Sequence, residues 1–238
     1  MSTPKSQDLV EFLADRLGLP ARLIATYGLR LRAADELSKT RGGRWAAGGA
    51  PMTSRDAAVW LTAMLASPTA LGAVDAVRAA ATWRTSGIFI KQFGPAAYTL
   101  VPFPVSAEDR AQLDRSFLDW MVGSIDEIRL DLASPPHLWL EAVSVQHQAP
   151  LIGAWVDFVT MAPDVGILPG QLVFAPPRSD DSPAAPPIQF ERSTTVGANI
   201  LGQIAAFLGP LPASDRFDVP AAADVNRPCD GIGTRYAQ

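Results

Sequence analysis

The sequence predicts an α+β fold, with an N-terminal all-helical helix-turn-helix or winged-helix head followed by a mainly antiparallel α+β domain. Three observations lead there. Apolar residues recur at three- and four-residue spacing as far as Ala81, whereas from Thr85 onward short runs rich in Val, Ile, Phe and Trp take over. Those runs are punctuated by proline and glycine, with one helical segment after the first pair and another near the end, an arrangement of strands and helices that suits a sheet with helices on it. The 238 residues, 48% of them hydrophobic, suffice for one large domain or two small ones. We place a head at 1–85, an α+β domain at 86–209 and a loosely held Pro/Ala-rich tail at 210–238.

The first helix is marked by Leu9, Val10, Leu13 and Leu17, with Asp8, Glu11, Asp15 and Arg16 between them and Gly18 as its stop. Pro20 can open a second helix without losing a needed amide bond, and Leu23, Ile24, Tyr27, Leu31, Ala34 and Leu37 make its apolar stripe. Gly28 within that helix costs roughly 1 kcal/mol against alanine, which implies close packing or a locally weak helix. A basic glycine-rich stretch follows, Ser38-Lys39-Thr40-Arg41-Gly42-Gly43-Arg44-Trp45. Thr53, with Asp56 three residues on, is the reciprocal start signal of a third helix carrying Ala57, Ala58, Trp60, Leu61, Met64 and Leu65. Ser67-Pro68 ends it, and residues 70–82 read as a fourth helix.

In the second part, residues 88–90 and 98–103 read as paired strands around Gly94-Pro95, and Ser106 starts a helix running to about Gly123. Further strands are expected at 127–132, 138–145, 151–160, 168–174 and 188–194, and a final amphipathic helix at 198–208. The proline-rich residues 175–187 read as an extended loop, and the tail has few anchors beyond Phe217 and Tyr236.

Charge is distributed unevenly. The net charge of −4 divides into nine basic against six acidic residues in 1–60, and eleven against eighteen thereafter. A basic head on an acidic body orients an encounter with a polyanion. Recognition of duplex DNA needs a helix presented to the major groove and cations on the flanking phosphates. Arg30 and Arg32, away from the apolar stripe, and Arg22 in the first turn suit base or phosphate contact. Lys39, Arg41 and Arg44 suit phosphate, with glycines allowing close backbone approach. Trp45 stacks on sugar or caps the core.

The run from Val10 to Leu37, followed by Arg41-Gly42-Gly43-Arg44 and by Met52-Thr53-Ser54-Arg55-Asp56-Ala57-Ala58, resembles the helix-turn-helix, wing and following helix of MerR-type winged-helix domains. It is also similar to the amino-terminal regions of regulator-like proteins of bacterial prophages. The resemblance covers a quarter to a third of the chain. It implies a DNA-binding transcriptional regulator with double-stranded DNA as partner. MerR-type regulators typically continue into a long antiparallel dimerisation helix and often carry metal-binding cysteines, and neither is seen here. The α+β domain is therefore expected to supply dimerisation, ligand sensing or a protein contact.

Other chemistry finds little support. His137 and His147 lack the close spacing of a zinc helix, and the single cysteine, Cys229, can build neither a disulfide framework nor a thiolate metal site. Ser144 is not in the Gly-x-Ser-x-Gly context of a nucleophile elbow. The pairs Glu108-Asp109, Asp126-Glu127 and Asp180-Asp181 are adjacent in sequence, whereas acid–base work needs carboxyls facing each other. Gly166 with Gly170 and Gly231 with Gly233 form no phosphate loop. Trp139, Trp155, Phe158 and Phe174 line a ligand cavity or, on the better reading, a packed core. The amino terminus does not read as a secretory signal, and no apolar run is long enough to span a membrane.

The sequence thus leads to a cytoplasmic DNA-binding regulator, phage- or prophage-related and dimeric, since one short recognition helix carries little specificity alone. It is not expected to be an enzyme or to hold a metal or cofactor, and a small-molecule effector stays undefined. The alternative is a structural or assembly protein, such as a phage component, without strong DNA affinity.

Overall fold

The computed structural model describes residues 4–38, 51–93, 98–102, 114–130, 138–146, 153–162, 166–177, 193–197 and 199–211. In chain order these form α1 (Ser6–Leu17), α2 (Ala21–Ala33), α3 (Ser54–Ala66), α4 (Ala73–Ala80), β1 (Arg84–Phe93) and β2 (Tyr98–Pro102). There follow α5 (Phe117–Leu130), β3 (Leu138–Gln146), β4 (Gly153–Ala162), β5 (Gly166–Ala175), β6 (Ser193–Gly197) and α6 (Asn199–Leu208). The expectations for Trp45, for the start of a helix at Ser106, for the extended loop and for the tail after residue 211 fall outside the described residues.

Helix α3 is the axis of the structure. Its start is the expected one: Thr53 Oγ1 accepts from the Asp56 amide at 3.1 Å, and the Asp56 carboxylate accepts the Thr53 N–H at 3.0 Å in return. Eleven of its thirteen residues are buried, so it has no solvent stripe and must be enclosed on all sides. It packs against α2, α4, α5 and α6 and touches β3 and β6. Three of the four alanines of α4 (Ala73, Ala76 and Ala80) are buried, as befits a helix lying close on its neighbour.

Gly28 is explained by close packing. Trp60 sends its indole N–H to the Ile24 carbonyl at 3.1 Å, laying the ring across α2. A Cβ at position 28 would lie 2.1 Å from Trp60 Cζ2, so only glycine allows that approach. Tyr27, one residue earlier, donates its hydroxyl to the Ser67 carbonyl at 2.8 Å. Burial pushes the Tyr27 pKa up, which keeps that hydroxyl a donor.

The six strands form one antiparallel sheet in the order β2-β1-β5-β4-β3-β6. Its inner face carries Val143, Val145, Ala154, Val156, Phe158, Leu172 and Phe174, all buried. On this face Phe174 meets Phe117 and Trp120 of α5 with ring centroids 5.3 and 5.9 Å apart. The helices therefore form a layer over one side of the sheet, and a single hydrophobic core runs from Leu9 of α1 to Leu208 of α6. Residue 85 lies in β1, where the helical layer passes into the sheet without a break in that core.

Several expectations change. Helix α2 ends at Ala33, before Asp35 in the left-handed region (φ 63°), so Ala34 and the buried Leu37 lie beyond the helix whose stripe they were expected to extend. Residues 127–130 are helical, not a strand: the alternation of Ile128, Leu130 and Leu132 imitates a strand, but the buried set Leu118, Met121, Ile125 and Arg129 follows the three- and four-residue helical period. The Ser116 hydroxyl accepts the Asp119 amide at 3.0 Å and starts this helix. Leu23 is 41% exposed, because the buried stripe of α2 is Ile24, Tyr27, Gly28 and Leu31.

Two substitutions test the packing by chemical denaturation. Gly28→Ala, stabilising in an isolated helix, is expected to lose about 1–3 kcal/mol here because the ring of Trp60 must shift. Thr62 of α3 is fully buried and its hydroxyl has no hydrogen-bond partner among the described residues, so Thr62→Val is expected to gain up to about 1–2 kcal/mol.

Candidate nucleic-acid interface

Helices α1 and α2 are joined by Gly18, Leu19 and Pro20, a short glycine-containing turn between two consecutive helices. Gly18 takes the left-handed conformation (φ 64°) and returns its N–H to the Ala14 carbonyl. The Pro20 carbonyl then accepts the amides of Leu23 and Ile24 at 2.9 and 3.3 Å, opening α2 at once. With its Ile24, Tyr27 and Leu31 side bolted to Trp60 and Ser67, α2 turns its opposite side outward.

That outer side carries Arg22, Thr26, Leu29, Arg30 and Ala33, all exposed, at the i, i+4, i+7, i+8, i+11 spacing of one helical face. Arg32 lies on the flank of the helix and is half-buried. None of the three arginines makes an ion pair with a described residue. Lys39, Arg41 and Arg44 lie outside the described residues.

The two ends of the basic segment are described, and both are held. The Ser38 amide donates to Asp56 Oδ1 at 2.7 Å, while Asp56 Oδ2 accepts the Thr53 N–H and, at 2.7 Å, the Thr53 hydroxyl. On the other side the Met52 amide bonds to the Pro4 carbonyl at 2.9 Å, and Lys5 and Pro51 form a short antiparallel bridge. Asp56 is thus more than a helix cap: its buried carboxylate ties the chain leaving α2 to the start of α3. The capping pattern was legible in the sequence, but the bond to Ser38 joins residues 18 apart and had no sequence signal.

Three other polar groups have structural roles. Buried Arg129 donates to Ser54 Oγ at 2.7 Å and to the carbonyls of Gly209 at 2.7 Å and Pro210 at 3.5 Å, satisfying acceptors beyond the end of α6. The Ser54 hydroxyl donates to Asp126, which places one member of the Asp126-Glu127 pair in a lock between α3 and α5. Ser144 is likewise buried, with its hydroxyl 2.8 Å from that of Thr195.

On the far face of the sheet, Asp157 takes both the Lys91 ammonium at 2.5 Å and the Gln171 amide at 3.1 Å. Trp155 points to that face by strand alternation, whereas Phe158 and Phe174 belong to the core, so these aromatics line no common cavity. Gly166 and Gly170 lie in β5. A cleft of about 380 Å³ between the end of α1 and the start of α6 is open and bordered by Asp15, Arg16, Thr195, Asn199 and Gln203. His137, His147, the Glu108-Asp109 and Asp180-Asp181 pairs and Cys229 lie outside the described residues, as does the side chain of Trp139. Among the described residues no cluster of His, Cys, Asp or Glu could hold a metal ion, and no helix is long and apolar enough to cross a membrane.

Asp56→Ala would strand three donors and is expected to destabilise the protein by about 2–3 kcal/mol in urea unfolding, whereas Asp56→Asn, which keeps an acceptor, loses less. In comparison with known proteins, no family model, no curated sequence and no solved structure matches the chain.

Proposed function

We propose that the chain is a DNA-binding transcriptional regulator of the cytoplasm, phage- or prophage-related, that reads duplex DNA with the outer face of α2 and acts as a dimer. One observation supports this reading: Arg22 and Arg30 stand exposed and unpaired among described residues, about two turns apart on the outer face of α2, the second of two helices joined by a three-residue turn. The opposite face is fixed by Trp60 and Tyr27, so the arginines rest on a rigid element, as positioned recognition requires. Lys39, Arg41 and Arg44 follow from a stem held at Ser38 and supply phosphate contacts. Arg32, on the flank, suits a phosphate better than a base.

A second reading has an observation of its own. Leu19, Leu23 and Leu29 are exposed by 38, 41 and 65%, and such side chains on a helix surface also suit docking onto another protein subunit, as in a phage assembly.

Fluorescence anisotropy of the full chain with mixed-sequence duplex DNA across a salt titration separates the two. DNA binding predicts affinity that falls steeply with salt, and Arg41→Ala with Arg44→Ala is expected to weaken it for every sequence and flatten the log–log slope by about 2. An unchanged slope removes the basic segment from the interface, and absence of binding even at low salt leaves the assembly reading.

A further inference from the structure

We infer that α2 recognises thymine through its C5-methyl group, with Leu29 as the specificity-determining residue and the Thr26 methyl beside it, between cationic contacts made by Arg22 and Arg30. The inference rests on the DNA-binding reading and names which base edge that face would take.

Leu29 is 65% exposed on a helix whose core positions are already filled by Ile24, Tyr27 and Leu31, so packing gives no reason for a large apolar side chain there. Its neighbours on the same face narrow the chemistry. The Thr26 hydroxyl donates to the Arg22 carbonyl at 2.8 Å, which engages its polar end with the helix backbone and leaves the γ-methyl as its outward group. Ala33 adds a third apolar group one turn beyond Leu29. The centre of the face therefore holds an apolar strip, with none of the Asn or Gln that pairs with adenine and none of the Asp or Glu that accepts from cytosine. The major-groove feature that an apolar side chain distinguishes is the thymine methyl.

Charge favours this occupant over a protein. Arg22 and Arg30 bracket Thr26 and Leu29 along the helix, roughly 12 Å apart along its axis, a span of about three to four base steps. Covering the strip with an apolar protein surface would take both guanidinium groups out of water without a counter-charge, whereas a DNA groove presents phosphates and guanine acceptors to them.

The test begins with selection of duplexes bound by the full chain from a randomised pool, followed by anisotropy on the enriched duplex made with thymine and with deoxyuridine, which lacks only the methyl. Thymine is expected to be enriched, and the deoxyuridine duplex to bind about three- to tenfold more weakly per contacted methyl. Leu29→Ala, at an exposed site where alanine favours the helix, is expected to bind the two duplexes equally. Equal binding of both duplexes by the unaltered protein overturns the inference while leaving DNA binding intact. A difference that survives Leu29→Ala overturns the assignment to Leu29. No duplex bound at all, or concentration-dependent self-association abolished by Leu29→Ala, overturns it together with the reading on which it rests.

Discussion

The packing of Trp60 across Gly28 is the contact on which the arrangement of the helices depends. Its indole reaches the Ile24 carbonyl while its six-membered ring occupies the space where any other residue at 28 would place a Cβ. Because α3 is buried on nearly every side, the angle at which α2 lies on it is set by that one close approach, with Tyr27 and Ser67 as a second fastening. Everything on the outer face of α2 inherits its direction from there. Interiors packed to this density transmit a shift of one ring to its neighbours, so the exposed arginines are positioned from inside the molecule.

Two polar fastenings complete the helical layer, and both use the first residues of α3. Asp56 holds the chain that leaves α2, and Ser54 joins Asp126 and Arg129, which in turn bind the carbonyls after α6. A charge buried in such surroundings persists only when its hydrogen-bonding capacity is used, and here each charged group gathers partners from distant parts of the chain. The start of α3 is thereby a junction between the α1–α2 pair, the basic segment that precedes Pro51 and the helices lying on the sheet. Since the core is continuous across residue 85, the sheet also supports the presentation of α2 through α3.

The proposed function follows from a contrast between the two sides of α2. One side is aromatic and hydrogen-bonded into the core; the other offers two guanidinium groups and a small apolar strip to solvent. Rigid support on one face and, on the other, cations unpaired among the described residues fit a polyanion with patterned edges better than a small molecule, which needs concave enclosure. The open polar cleft beside α6 and the Lys91–Asp157–Gln171 group do not offer such enclosure.

The sequence by itself determined the local events: the helix pair with its Gly18-Leu19-Pro20 turn, the Thr53–Asp56 cap, the alternating strands and the exposed positions of Arg22 and Arg30. Each depends on residues within one or two turns or along one strand, where periodicity and capping chemistry act. Tertiary structure decided the rest. The extent of α5 was misread because a short apolar alternation is ambiguous until a partner surface selects one period, and Leu23 was assigned to the core because a stripe three residues wide does not say where its centre lies. The bond from Ser38 to Asp56 and the bonds of Arg129 join residues from 18 to 81 positions apart, and the order of the sheet and the shared core are equally long-range, with Arg84 of β1 paired to Ala175 of β5. Such pairings are chosen by the packing of the whole chain, so no local pattern announces them.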